Sequence, residues 1–224
     1  MIRDKEYYIN NLRVLYEDNH ILVIVKPENI LSQKDITNDF DINEIVKEYL
    51  KRKYNKAGNV YLGLVHRLDR RVGGVMLLAK TSKAASRLSV DIMKHDFDKF
   101  YLVKATGELN YKDSINIKIK KKDNMAIVSN DGKDSLLEYQ SLYRSKEFSY
   151  ALVKLFSGRY NQIRLSFSYI KHPLIGDNKY GAKKEDRLGL WCYRLKFIHP
   201  VLKKEIDICA LPEGAFWEGI EKLI

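Results

Sequence analysis

Between residues 115 and 120 the chain reads Ile-Asn-Ile-Lys-Ile-Lys, and that alternation leaves little choice of local structure. Successive side chains of a strand point to opposite faces, so Ile115, Ile117 and Ile119 share one face and Asn116, Lys118 and Lys120 the other. A helix would scatter both sets. The segment is a strand with one buried and one wet face. Residues 99–106, KFYLVKAT, alternate in the same way. "RVLYEDNHILVIVKP" places two apolar runs around Glu17-Asp18-Asn19, a turn-forming trio, and predicts a hairpin closed at Lys26-Pro27. Further strands are expected at 75–79, in "YALVKLF" at 150–156, and in "GLWCYRLKFIHP" and "KKEIDICALP" near the end.

Helices interrupt this series without regular strand-helix-strand alternation. Ile42, Ile45, Val46 and Tyr49 recur at helical spacing behind Asp39 and Asp41, either of which can cap. Thr81 and Ser82 open a second helix, with Ala85, Leu88 and Ile92 on one face. A third carries Ile163, Phe167 and Ile170 and is stopped by His172-Pro173. Before it, Ser157-Gly158 breaks the strand, and Gly158 is expected to take the tight turn. The fold class is therefore α+β, on a mixed, largely antiparallel sheet flanked by helices and loops. With four prolines and no repeat or linker, residues 1–224 are expected to form a single domain.

Lys and Arg total 40 against 29 Asp and Glu, a net charge of +11. That balance suits a polyanionic partner, with nucleic acid first. Cys192 and Cys209 are too few for a disulfide framework and read as small core residues in a reducing cytoplasm. Neither a CxxC pair nor paired histidines support a metal around Cys192, His199 and Cys209, so no metal is expected. "MIRDKEYYIN" lacks the apolar centre of a signal peptide, and no run approaches the roughly 18 apolar residues of a membrane span. A cytoplasmic monomer with no membrane partner is the expectation.

The chemistry is concentrated in "GLVHRLDRRVGGVMLLAK", residues 63–80, where one acid, Asp69, stands among Arg67, Arg70 and Arg71. Opposite charge keeps such an acid ionised at neutral pH. A carboxylate so held is a poor general acid but a competent nucleophile, charge stabiliser or well-placed base. Taken alone, an Asp among arginines is more often a surface ion pair of little energetic weight. A second clue is "LFSGRYNQIRLSF", where Arg159 and Arg164 flank the start of the third helix. Cations at a helix N-terminus work against its dipole unless an anion compensates, the alternative being that Arg164 points to solvent.

"HRLDR" followed by "GGVMLLAK", then "KFYLV", "SGRYNQIR" with "HPLIGDNKYG", and finally "LKFIHP", resembles in identity and order the RluA family of RNA pseudouridine synthases. The likeness runs from residue 14 to residue 214. It implies a pseudouridine synthase fold, no cofactor, and structured RNA, ribosomal or transfer, as partner. It also implies that Asp69 is the catalytic aspartate, Tyr101 the active-site tyrosine, Arg164 the basic residue paired with the aspartate, and Ile163 the aliphatic residue beside it. Arg67 is the candidate to fill the gap left when the target base is extruded, with a phosphate contact as the alternative. Two departures stand out: Gly73-Gly74 where Ser-Gly is usual, and Tyr160-Asn161 where Thr-His is usual. Only about a dozen residues precede the first strand, so no N-terminal S4-like domain is expected. The rival expectations are a non-catalytic RNA-binding or chaperone module of the same fold and, more remotely, a metal-dependent nuclease, which would need partner carboxylates near Asp69.

Overall fold

The computed structural model describes residues 3–94 and 96–224. It is α+β, and every strand pair detailed below is antiparallel. The chain divides into two compact units, neither of them contiguous: residues 1–97 with 194–210, and residues 98–193 with 211–224.

In the first unit, β1 (Val14–Glu17) and β2 (Ile21–Lys26) form the expected hairpin. Asp18 closes it by accepting the N–H groups of His20 and Ile21 at 2.7 and 2.8 Å. β2 pairs with β4 (Gly73–Ala79), and every residue of both strands is buried. Burial on both faces is why "ILVIV" and "VMLLA" run unbroken instead of alternating. A short β3 (Gly63–Leu64) also pairs with β4. α2 (Ile42–Lys53) turns Ile42, Ile45, Val46 and Leu50 inward, and its cap is Asp41, whose carboxylate accepts the Glu44 N–H. α3 (Ser82–Met93) is capped by Thr81 and buries Ala84 and Leu88, while Ala85 and Ile92 are only half-buried. His95, which falls in the stretch that suggested this helix, lies outside the described residues. A six-residue helix, α1 (Lys5–Asn10), precedes β1 and is capped by Asp4.

The second unit orders its strands β5 (Phe97–Thr106, from Asp98 on), β9 (Phe148–Leu155), β8 (Lys133–Arg144), β6 (Lys112–Lys122) and β7 (Met125–Val128). β6 turns Ile115, Ile117 and Ile119 inward as its alternation required. α4 (Gln162–Tyr169) packs against β6 and β7, with Phe167 against Tyr139. β10 (Leu190–Ile198) contributes its first four residues to this unit, and its remaining five, paired with β11 (Glu205–Cys209), to the first.

Two expectations are corrected. Cys192 is buried but Cys209 is exposed, because β11 alternates and turns Glu205, Asp207 and Cys209 outward while Ile206 is buried. The entry to α4 is shaped by Asn161 rather than by Gly158: Asn161 carries the left-handed conformation, φ 49°. Asparagine tolerates that region better than most residues with a side chain.

Candidate active site

Asp69 and Arg67 lie on the loop between β3 and β4 in the first unit, Asp69 half-buried and Arg67 exposed. Arg70 is turned away to Asp39, at 2.7 Å. The Asp69 carboxylate accepts the Arg71 N–H at 3.0 Å, and its own carbonyl accepts the Val72 N–H, also at 3.0 Å, so the residue sits at the head of a tight turn.

The residues on either side of Asp69 are fastened from the segment 26–32. The Ser32 hydroxyl donates to the Leu68 carbonyl at 2.6 Å and accepts the Leu68 N–H at 3.1 Å. The Lys26 ammonium, fully buried at the end of β2, donates to the carbonyls of Pro27 (2.9 Å), Ile30 (2.6 Å) and Arg70 (3.3 Å). Burial pulls its pKa down to about 7, against the opposing pull of the Asp69 and Glu28 carboxylates. On the other side of the loop, His66 Nε2 accepts the Leu77 N–H at 3.0 Å. In the sequence Lys26 marks only the end of a hairpin, and nothing local singles out Ser32. The available signal was a lysine ending an apolar strand directly before a proline, where no extended wet surface invites it.

Tyr101, Ile163 and Arg164 belong to the second unit. Tyr101 is buried on β5, and burial, with the Cys192 sulfur hydrogen-bonded beside it, raises its phenol well above the usual range. Burial likewise pushes the Cys192 thiol up to about 12. Lys99, two residues before Tyr101 and so on the same face of the strand, has its amine lowered by burial. The group around the tyrosine is thus a neutral phenol, a neutral thiol and a lysine of reduced basicity.

Arg164 does not point to solvent. It is 4% exposed, and its guanidinium grips Asp177 with two bonds, Nε to Oδ2 at 2.7 Å and Nη2 to Oδ1 at 2.6 Å. Its planar fork matches a carboxylate in this way. The anion that the helix start demanded is therefore supplied by the chain itself, from the "HPLIGDNKYG" motif. Tyr180 lies under the guanidinium, 5.1 Å from ring centroid to Cζ. The Tyr180 hydroxyl accepts from Ala126 N at 2.8 Å and from Asn161 Nδ2 at 3.2 Å. Asn161, one of the two departures, thus steadies the ring beneath Arg164. Ile163 is 5% exposed on the same helix. Among the described residues, no three His, Cys, Asp or Glu side chains gather as metal ligands would, and no helix is long and apolar enough to cross a membrane.

Residues 20–169 match the family model described as RNA pseudouridylate synthase. Among curated proteins, the chain is 30% identical to "Ribosomal large subunit pseudouridine synthase D" of Xanthomonas campestris pv. campestris, over 90% of this chain and 66% of that protein. It is 29% identical to "Ribosomal large subunit pseudouridine synthase C" of Buchnera aphidicola subsp. Baizongia pistaciae, over 96% of this chain and 72% of that protein. The chain thus spans about two thirds of the length of such relatives. Among solved structures, "Human RNA Pseudouridylate Synthase Domain Containing 4" superposes with a TM-score of 0.82 at 18% identity, covering 98% of this chain and 96% of that one, which is a likeness of fold.

Proposed function

The chain belongs to the RNA pseudouridylate synthase family, with the motif order of its RluA group, and from that premise we propose that it isomerises uridine in RNA to pseudouridine. The names of its relatives favour ribosomal RNA of the large subunit as the substrate. The reaction breaks the bond from ribose C1′ to N1, turns the uracil, and joins C1′ to C5. C5 gives up its proton and N1 gains one, so no redox partner is called for. The 224 residues act in this reading as one catalytic domain.

Asp69 carries the chemistry, on the ribose or on the ring. The observation that best supports this is the fastening of its loop. Leu68 and Arg70 are tied through main-chain atoms by Ser32 and Lys26, which fixes the backbone on both sides of the carboxylate and so orients it. Preorganised charge of this kind is what stabilises a transition state at low reorganisation cost. Arg164, its orientation set by Asp177, is the fixed positive charge of the reaction. Tyr101 contributes a neutral phenol whose ring contacts uracil and whose oxygen relays the C5 proton. Ile163 gives the base an apolar wall. Extrusion of the target base costs a few kcal/mol, and the exposed, planar Arg67 takes its place in the stack.

Asp69→Asn tests the assignment. Tritium release from large-subunit ribosomal RNA carrying 5-³H-uridine is expected to vanish in the variant while RNA affinity and melting temperature are kept. Residual release in proportion to the folded variant would remove Asp69 from the chemistry. Absence of release by the wild type on any cellular RNA would favour the binding-module alternative.

A further inference from the structure

Tyr160 replaces a threonine usual in the family, and nothing in the proposed reaction uses it. The residue is 42% exposed, and its hydroxyl donates to the Asn124 carbonyl at 3.2 Å, at the turn between β6 and β7. The same carbonyl accepts the Lys179 ammonium. Two ammonium groups converge on the ring, Lys121 at 5.1 Å and Lys179 at 5.7 Å from its centroid. Neither is paired with a carboxylate among the described residues. By contrast Lys120, on the opposite face of β6, is bonded to Asp131. Arg159, adjacent and exposed, spends one N–H on the Asp134 carbonyl at 3.1 Å and presents the rest of its guanidinium.

An exposed tyrosine pinned at its hydroxyl loses little further freedom when something lands on its face. Two unpaired cations over one ring repel each other, and an anion beside the ring relieves that repulsion. A flat π-surface with phosphate-seeking charges at its margin is the chemistry that recognises an unpaired nucleotide. Base-paired RNA hides its bases in the stack and presents mainly phosphates and 2′-hydroxyls. We propose that Tyr160, with Lys121, Lys179 and Arg159 around it, is a stacking platform for a single unpaired nucleotide of the RNA, outside the target uridine. The proposal rests on the RNA reading above and adds to it a contact specific to this chain. The β6–β7 hairpin is held beside the start of α4 by the Tyr160, Lys179 and Tyr180 bonds to Asn124 and Ala126, so a nucleotide stacked there is fixed in relation to Arg164.

The test uses fluorescence anisotropy of the full chain with a labelled mixed-sequence single-stranded RNA of twelve nucleotides, and with the same sequence as a duplex. Y160A is expected to weaken single-strand binding about 5- to 100-fold, the usual range for one stacked base. Y160F, which keeps the ring, should bind within about twofold of wild type, and duplex affinity should change by less than that in either variant. K121A and K179A should each lower the magnitude of the log–log salt slope by about 0.7, as loss of one phosphate contact on a single strand requires, whereas Y160A leaves the slope unchanged. Should Y160A melt early, Y160L, which keeps bulk without a flat ring, takes its place. Single-strand affinity of Y160A within twofold of wild type overturns the platform, as does an equal loss on the duplex or Tyr160-dependent binding of a polyglutamate peptide. Failure of the functional reading looks different: Tyr160-dependent RNA binding would persist in a wild type that releases no tritium.

Discussion

Around Asp69 the fastening acts on main-chain atoms. Ser32 and Lys26 bond to the carbonyls and N–H of the neighbouring residues, and the acid itself sits half-buried at the head of a turn. Around Arg164 it acts side chain to side chain: a buried guanidinium and the fully buried Asp177 hold one another, over the Tyr180 ring. Each site therefore keeps its stability in a different set of atoms. The first loop can change its reactive side chain and retain its fasteners. In the second, the charged group and the fastener are the same atoms, so any change of charge is also a change of packing.

The largest effect is expected at Arg164. Arg164→Ala strands the Asp177 carboxylate in the interior and is expected to cost about 3–5 kcal/mol of unfolding free energy, read by urea denaturation. Arg164→Lys, which keeps the charge and loses the fork, should fall between. A loss below about 1 kcal/mol in the alanine variant would mean that the pair does not carry its helix start.

Lys26 sharpens the contrast through pH. Its folded pKa, about 7, lies below the ordinary 10.5, so between those values the unfolded chain binds a proton that the native state does not. Stability contributed by this group therefore rises as pH climbs from 7 to 10.5 and is flat outside that window. Lys26→Met removes the titration. The stability of wild type relative to Lys26→Met should grow by about 3–5 kcal/mol across the window. A difference that does not vary with pH would show that the three carbonyl acceptors keep the ammonium charged throughout. The smallest effect belongs to the acid at the centre. Asp69→Asn retains an oxygen to accept the Arg71 N–H, and its unfolding free energy should stay within about 0.5 kcal/mol of wild type.

Much of the fold could be read in residues whose pattern met no competing demand. The alternation at 115–120, the capped helices behind Asp41 and Thr81, and the β1–β2 hairpin stand where they were expected. β8 escaped because two of its four inward positions are serines. Ser135 and Ser141 are buried with Leu137 and Tyr139, and each hydroxyl is satisfied by a main-chain carbonyl at 2.6 Å, Ile117 and Asn110 respectively. A buried serine with a partner costs little, yet it erases the apolar period. The candidate site divides on similar lines. Residues with motif identity, Asp69, Tyr101, Ile163 and Arg164, could be named from the sequence. Their supports could not, because Lys26, Ser32, Asp177 and Cys192 act across gaps of several to many residues that no local spacing encodes.

The interleaving of the two units bears on how the chain is made. The hydrogen bond from His199 to Asp18, 2.8 Å long, joins residues 181 positions apart, and the first unit needs residues 194–210 to be complete. During synthesis the ribosome must first deliver residues 98–193, a wait of about 5–20 s at ordinary elongation rates. For those seconds β2 and β4, every residue of which ends up buried, are out of the ribosome without β11 or the last five residues of β10. The nascent chain then displays a wide apolar surface beside a paired but unfinished sheet, the kind of surface that chaperones shield. Closure of the unit that holds Asp69 waits for residues 194–210.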